Sequence, residues 1–263
     1  MLSTLIANWR FVWLIVASLL GGALNAMAGG GSFISFPAML GMGVPPIEAN
    51  ATNTVALWPG QLVAGATLHG DVRRDLLTVV LGAGCLGGFL GAWVLLHTRQ
   101  RTFLHMIPWL LLLGALIFGI SGPVSRWIRA RSTRALSERH NEPHIPRLPL
   151  FVALLPVCFY VGYFGAGSGL LIMTVLALFG MEKMHELNAL KVLGAGAANL
   201  CAIFTFVAGG RIVWRLCLIA MIAAAIGGYL GARFTRRLNP DILRTVVVVT
   251  GIVIAGYFFW RQA

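Results

Sequence analysis

One stretch of this chain occurs twice, and that duplication narrows the folds open to it. Met27 to Gly70 reads MAGGGSFISFPAMLGMGVPPIEANATNTVALWPGQLVAGATLHG, and from Gly162 the pattern returns as GYFGAGSGLLIMTVLALFGMEKMHELNALKVLGAGAANLCAIF. Gly31-Ser32 aligns with Gly167-Ser168, Glu48-Ala-Asn50-Ala with Glu186-Leu-Asn188-Ala, and GGFLGA (Gly87 to Ala92) with GGYLGA (Gly227 to Ala232). Three anchors in one order describe a duplicated unit.

Long apolar runs fill the space between the anchors, and only 11% of the residues are charged against 58% hydrophobic. A soluble domain carries roughly 25% charged residues. In lipid only helices and closed barrels satisfy their backbone, and these runs are far too long for barrel strands. The reading is an all-α membrane protein with about eight transmembrane helices as two homologous repeats, each with a glycine-broken short half-helix. The boundaries are 1–121 for the first repeat, 122–148 for an Arg-rich linker and 149–263 for the second repeat. The net charge of +12 would suggest nucleic acid in a soluble protein, but here most Arg lies between spans, where topology and anionic head groups account for it. No nucleic-acid partner is expected.

The expected spans in the first unit are Phe11 to Ala26, Asn50 to Leu68, Leu76 to Leu96 and Phe103 to Ile120, with Ser32 to Met42 too short to cross. In the second they are Leu150 to Phe164, Leu187 to Val207, Ile212 to Ala232 and Ile242 to Trp260, with Leu170 to Phe179 as the short piece. The first run resembles a signal peptide, with Ala26-Met27-Ala28 as a cleavage site, yet the second unit has an equivalent run, so it is expected to be retained. Four spans per unit predict that both units share one orientation. Arg10, Arg73 and Arg74, the six arginines of Ser125 to Arg147, Arg211, Arg215 and Arg261 then fall on one side, expected to be cytoplasmic together with the N-terminus.

Polar residues inside the spans are the candidate site. Asn50, Asn53 and Gln61 in the first unit and Asn188, Lys191 and Asn199 in the second share one spacing, i, i+3, i+11. At about 100° per residue an 11-residue step returns nearly to the same helix face, so each unit presents a matching polar stripe. Only the middle position changes charge. A lysine inside a span costs at least about 2.5 kcal/mol, so Lys191 should face a cavity or a partner. All eight Asp and Glu lie in loops or at span ends, which leaves an anionic substrate as the natural partner. The plainer readings are a lysine that snorkels or pairs with Glu186, and asparagines that merely glue helices together. The breaks at Gly30, Gly31 and Ser32 and at Gly167 and Ser168 would open short helices whose first N–H groups attract anions. No Gly-Lys-Ser/Thr follows either break, so neither is a phosphate-binding loop.

These residues also carry a resemblance. The GGGSFISFP and ANATNT segments, with the duplication around them, are similar to the sulfite exporter TauE/SafE family of bacterial inner-membrane proteins. The resemblance implies export of a small sulfur oxyanion or organosulfonate across that membrane by a secondary transporter or facilitator; an anion channel and an importer of a related anion are the alternatives. An intramembrane serine hydrolase would need a histidine at the depth of Ser32 or Ser168, but His69 and His97 close their spans. No catalytic residue, cofactor or metal is expected, since Cys85, Cys158, Cys201 and Cys217 show no ligand spacing and read as free thiols. The expected partners are the small anion and the lipid bilayer, with homo-oligomerisation open.

Overall fold

The structure is a computed structural model that describes residues 2–67, 73–137, 145–181, 183–234 and 240–262. Among these residues there are ten helices and no strand: α1 (Leu2–Ala28), α2 (Ser32–Gly41), α3 (Pro46–Thr67), α4 (Arg74–His97), α5 (Gln100–Ser137), α6 (Arg147–Tyr163), α7 (Ser168–Leu178), α8 (Met184–Ala208), α9 (Trp214–Phe234) and α10 (Pro240–Gln262). The outer faces are apolar, with Trp13, Leu116, Ile222 and Val253 exposed, while Ser18, Asn50, Thr52 and Asn53 are buried. That inside-out distribution belongs to a protein solvated by lipid. It is a multi-pass helical membrane protein.

Five described helices are long and apolar enough to cross: Trp9–Ala26 of α1, α4, Gln100–Ile120 of α5, α8, and Trp214–Gly231 of α9. The eight spans expected from the sequence also include α3, whose apolar run is interrupted by Asn50, Asn53 and Gln61, and two shorter apolar helices, α6 and Thr245–Trp260 of α10.

Two glycines make the hairpins that place the short helices. Gly29 (φ 79°) ends α1 and Gly165 (φ 78°) ends α6, each in the left-handed region that a side chain disfavours. The amide of Gly29 donates to Leu24 O, and that of Gly165 to Tyr160 O. The chain then doubles back, and Gly31, just before α2, and Ser35 within it lie against Gly21 of α1. Phe118 of α5 sits against both Gly30 and Gly167, and stacks edge-on with Phe33 at 5.8 Å, so one aromatic side chain pins both hairpins.

Contacts between helices fix their directions. Glu48 at the start of α3 meets Gln100 at the start of α5 and Arg211 in the α8–α9 connection. Leu96, near the end of α4, packs against Gly209 beyond the end of α8. Thus α3, α5 and α9 begin at the end of the bundle where α4 and α8 finish. Helix α1 lies parallel to α9, with Leu19 on Gly227 and Ala23 on Gly231. Helix α6 lies parallel to α4, with Phe151 by Gly82, Cys158 on Gly87 and Tyr163 on Gly91. Helix α10 runs against α5, pairing Gly119 with Val248, Ala115 with Gly251, and Trp109 with Phe259.

These directions correct one expectation. Helices in matching places, α1 and α6 or α3 and α8, run opposite ways, so the two halves are inverted rather than co-oriented. The start of α1 and the end of α5 consequently lie at opposite ends of the bundle, whereas the sequence led us to expect the N-terminus and central linker on one side. The reason is local. Helix α2 has only 10 residues, yet with the connection that follows it carries the chain back to the Glu48 end, so it acts as a return leg. Five legs per half, an odd number, invert the repeat.

Candidate functional site

A cavity of about 140 Å³ lies where the two hairpins approach α3 and α8. Its wall includes Asn25 and Gly29 beside α2, Ser32 at the start of α2, Thr54, Trp58 and Gln61 of α3, Phe164, Gly165 and Gly169 around the second break, and Lys191 and Asn199 of α8. Lys191 is the one charged side chain among the described lining residues. Its Nζ donates to Asn188 Oδ1 at 3.1 Å, and its aliphatic stem lies against Gly169. Asn199 Nδ2 donates to Gln61 Oε1 at 2.8 Å, and Trp58 Nε1 donates to Gly196 O at 3.3 Å. These two bonds tie α3 to α8 across the cavity floor.

The structure divides the expected residues into two groups. Ser32, Gln61, Lys191 and Asn199 line the cavity, and Asn188 touches it through Lys191. Asn50 and Asn53 do not line it. Asn50 is 1% exposed and donates to Tyr163 O at 3.1 Å, holding the last turn of α6. Asn53 is 2% exposed, accepts from Ser35 Oγ and donates to Ser32 Oγ at 3.2 Å, which fastens α2 to α3. For these two the plainer reading, interhelical glue, is the observed one. Gly30 and Gly31 are buried behind the opening of α2, against Phe118 and Gly21 respectively, and Gly167 adopts φ 76° against Phe118. Ser168 begins α7, and its side chain lies outside the described residues.

The lining residues missed include Asn25, Thr54, Trp58 and Phe164. Asn25 was visible as a polar residue inside an apolar run, one turn before Gly29. Thr54, Trp58 and Phe164 carried no such signal, because a threonine or aromatic residue in a span is ordinary.

The chemistry on offer is a cation, several amides and two helix starts. Ser32 and Gly169 sit in the first turns of α2 and α7, at the positive end of each helix dipole, although the amides of Phe33, Ile34 and Ser35 already donate to Gly30 O and Gly31 O and that of Leu170 to Gly167 O. Such an arrangement favours a small anion over a cation.

Comparison with known proteins fits a membrane carrier. The family model described as "Sulfite exporter TauE/SafE" matches residues 14–258. The chain belongs to the sulfite exporter TauE/SafE family. A "Probable membrane transporter protein" of Haemophilus influenzae is 25% identical over 244 residues, covering 91% of this chain and 90% of its own length. "Probable membrane transporter protein ORF9" of a Sinorhizobium species is 27% identical over 253 residues, covering 92% and 90%. "Probable membrane transporter protein YfcA" of Escherichia coli K12 is 22% identical over 251 residues, covering 92% and 87%. No solved structure matches. The family description and the names of these relatives indicate a membrane transporter.

Proposed function

We propose that the protein is a secondary transporter or facilitator that exports a small anion, of the sulfur oxyanion or organosulfonate class, across the bacterial inner membrane. The observation that carries this reading is Lys191, the one cation among the described lining residues, beside two helix starts in a cavity between the two halves. The family description supports the sulfur class of substrate. Membrane potential supports the direction, because a monoanion leaving a negative-inside cell gains about 2.3 kcal/mol per 100 mV.

The orientation follows from charge. Arg73, Arg74, Arg126, Arg129, Arg131, Arg134, Arg147, Lys183, Arg233 and Arg244 belong to the end where α5 finishes, against Arg10, Arg99, Arg101, Arg211, Arg215 and Arg261 at the Glu48 end. The richer end is cytoplasmic by the positive-inside rule. That keeps the linker inside, as expected from the sequence, and moves the N-terminus to the outer face.

The test is flux in proteoliposomes under a clamped potential, comparing sulfite, sulfate, thiosulfate and a small sulfonate. Saturable, potential-driven movement of one of them supports the reading. Flux that rises linearly with concentration favours a channel, and no flux of any of them in folded protein removes the substrate class.

A further inference from the structure

We infer that Glu48, Arg211 and Gln100 form a clasp that closes the transport path at one end of the bundle, and that the opposite end is its mouth. The inference rests on the transporter reading above. Arg211 Nη1 donates to Glu48 Oε1 at 2.7 Å, Gln100 Nε2 donates to Glu48 Oε2, and Gln100 Oε1 accepts from Ile47 N at 3.0 Å. Three elements from both halves are thereby joined: the first turn of α3, the first residue of α5 and the α8–α9 connection.

Behind the clasp the bundle is sealed. Ala49, Ala51 and Thr52 are each 0% exposed, and Thr52 Oγ1 accepts from Val213 N at 3.1 Å. The matching place in the other half is built differently. Glu186, the counterpart of Glu48, pairs with Lys183 in its own first turn at 3.1 Å. In the register that aligns GGFLGA with GGYLGA, the sequence has Asp71 where Arg211 stands and Pro240 where Gln100 stands, so the residue types of the clasp are not repeated there. In keeping with this, Asn188, Lys191 and Val192 are only half-buried, and Lys191 and Val192 line the cavity, whereas Asn50 and Asn53 are fully buried.

An inverted pair of halves moves between two states by exchanging which end is packed shut. Here the packed end is the one whose ion pair joins the two halves, Glu48 of the first with Arg211 of the second. Arg211 and Glu48 side chains are 44% and 16% exposed, and a pair this wet is a weak interaction, able to bias the closed state and still break in every cycle.

The test uses a variant in which the four cysteines are replaced, carrying Thr54→Cys on the cavity wall, in vesicles of known orientation. A membrane-impermeant maleimide is added from either side. With the clasp intact, labelling comes from the linker end alone. Glu48→Gln or Arg211→Ala should raise labelling from the Glu48 end severalfold, and the charge-swapped pair Glu48→Arg with Arg211→Glu should lower it again. Unchanged labelling in folded single variants overturns the clasp. If the cysteine-free parent does not fold, hydrogen exchange over residues 46–53 of the otherwise native chain replaces the label; Glu48→Gln should speed it, and unchanged exchange overturns the clasp. Neither readout needs a substrate. A protein that opens as described but moves no tested anion loses the anion reading alone, and one that transports with unchanged labelling loses the clasp alone.

Discussion

Lys191 and Asn53 hold the same place in the two copies of one motif, and the environments that receive them separate their roles. Lys191 lies against Gly169 at the cavity wall, whereas Asn53 is enclosed between Ser32 and Ser35. Lys191→Arg should retain part of the flux, because charge persists while the compact ammonium does not; initial rates of the two proteins check this, and a full wild-type rate would make the lysine's shape irrelevant. Asn53→Ala should act on stability instead. Removing one partner of a buried hydrogen-bonded set costs about 1–3 kcal/mol, so the unfolding midpoint in detergent should fall while substrate affinity of the folded fraction holds. An unchanged midpoint would contradict the glue role. The sequence identified the polar face but not what lies across from it. That Gln61, Lys191 and Asn199 share one cavity wall was legible, because their spacing put them on matching faces. That Asn50 and Asn53 stand apart from it was not, because Tyr163 and Ser35 reach them from other helices.

The helical hairpins depend on glycine at a few backbone positions rather than throughout. Gly167 requires φ 76°, and a side chain on Gly31 would enter the backbone of Gly21. Gly167→Leu and Gly31→Leu should therefore lower the folded yield and the flux together, whereas Gly41→Ala, at the end of α2 with open space around it, should do neither. Size-exclusion profiles of the three variants decide this; a monodisperse, fully active Gly31→Leu would remove the tight turn from the account. The same chemistry operates where helices cross: Gly88 abuts Ala198 and Gly227 abuts Leu19, so the small residues of GGFLGA and GGYLGA let helices approach closely. The identity of the partner helices was not readable. Each motif packs onto the first helix of the opposite half, α4 on α6 and α9 on α1, and nothing in a repeat says whether its copies pack internally or exchange.

At the scale of the whole molecule, matching helices of the two halves run in opposite directions, and the two hairpins meet at a cavity with one cation among its described lining residues. The sequence pointed to the duplication and the breaks, and it misjudged orientation because a 10-residue helix was taken as a pause in the path rather than a leg of it. Inversion makes a direct prediction. Tags at the N-terminus and in the central linker should be accessible from opposite sides of the membrane, with the linker tag inside; protease protection of right-side-out vesicles reads this, and two tags on one side would restore the co-oriented arrangement. The most direct measurement of the central claim is potential-driven anion flux in proteoliposomes, wild type against Lys191→Ala. The account predicts saturable movement of a sulfur oxyanion or sulfonate that is reduced at least tenfold in the variant, equivalent to about 1.4 kcal/mol or more of lost interaction. Equal flux through a folded Lys191→Ala protein would contradict it and move the site away from this cavity.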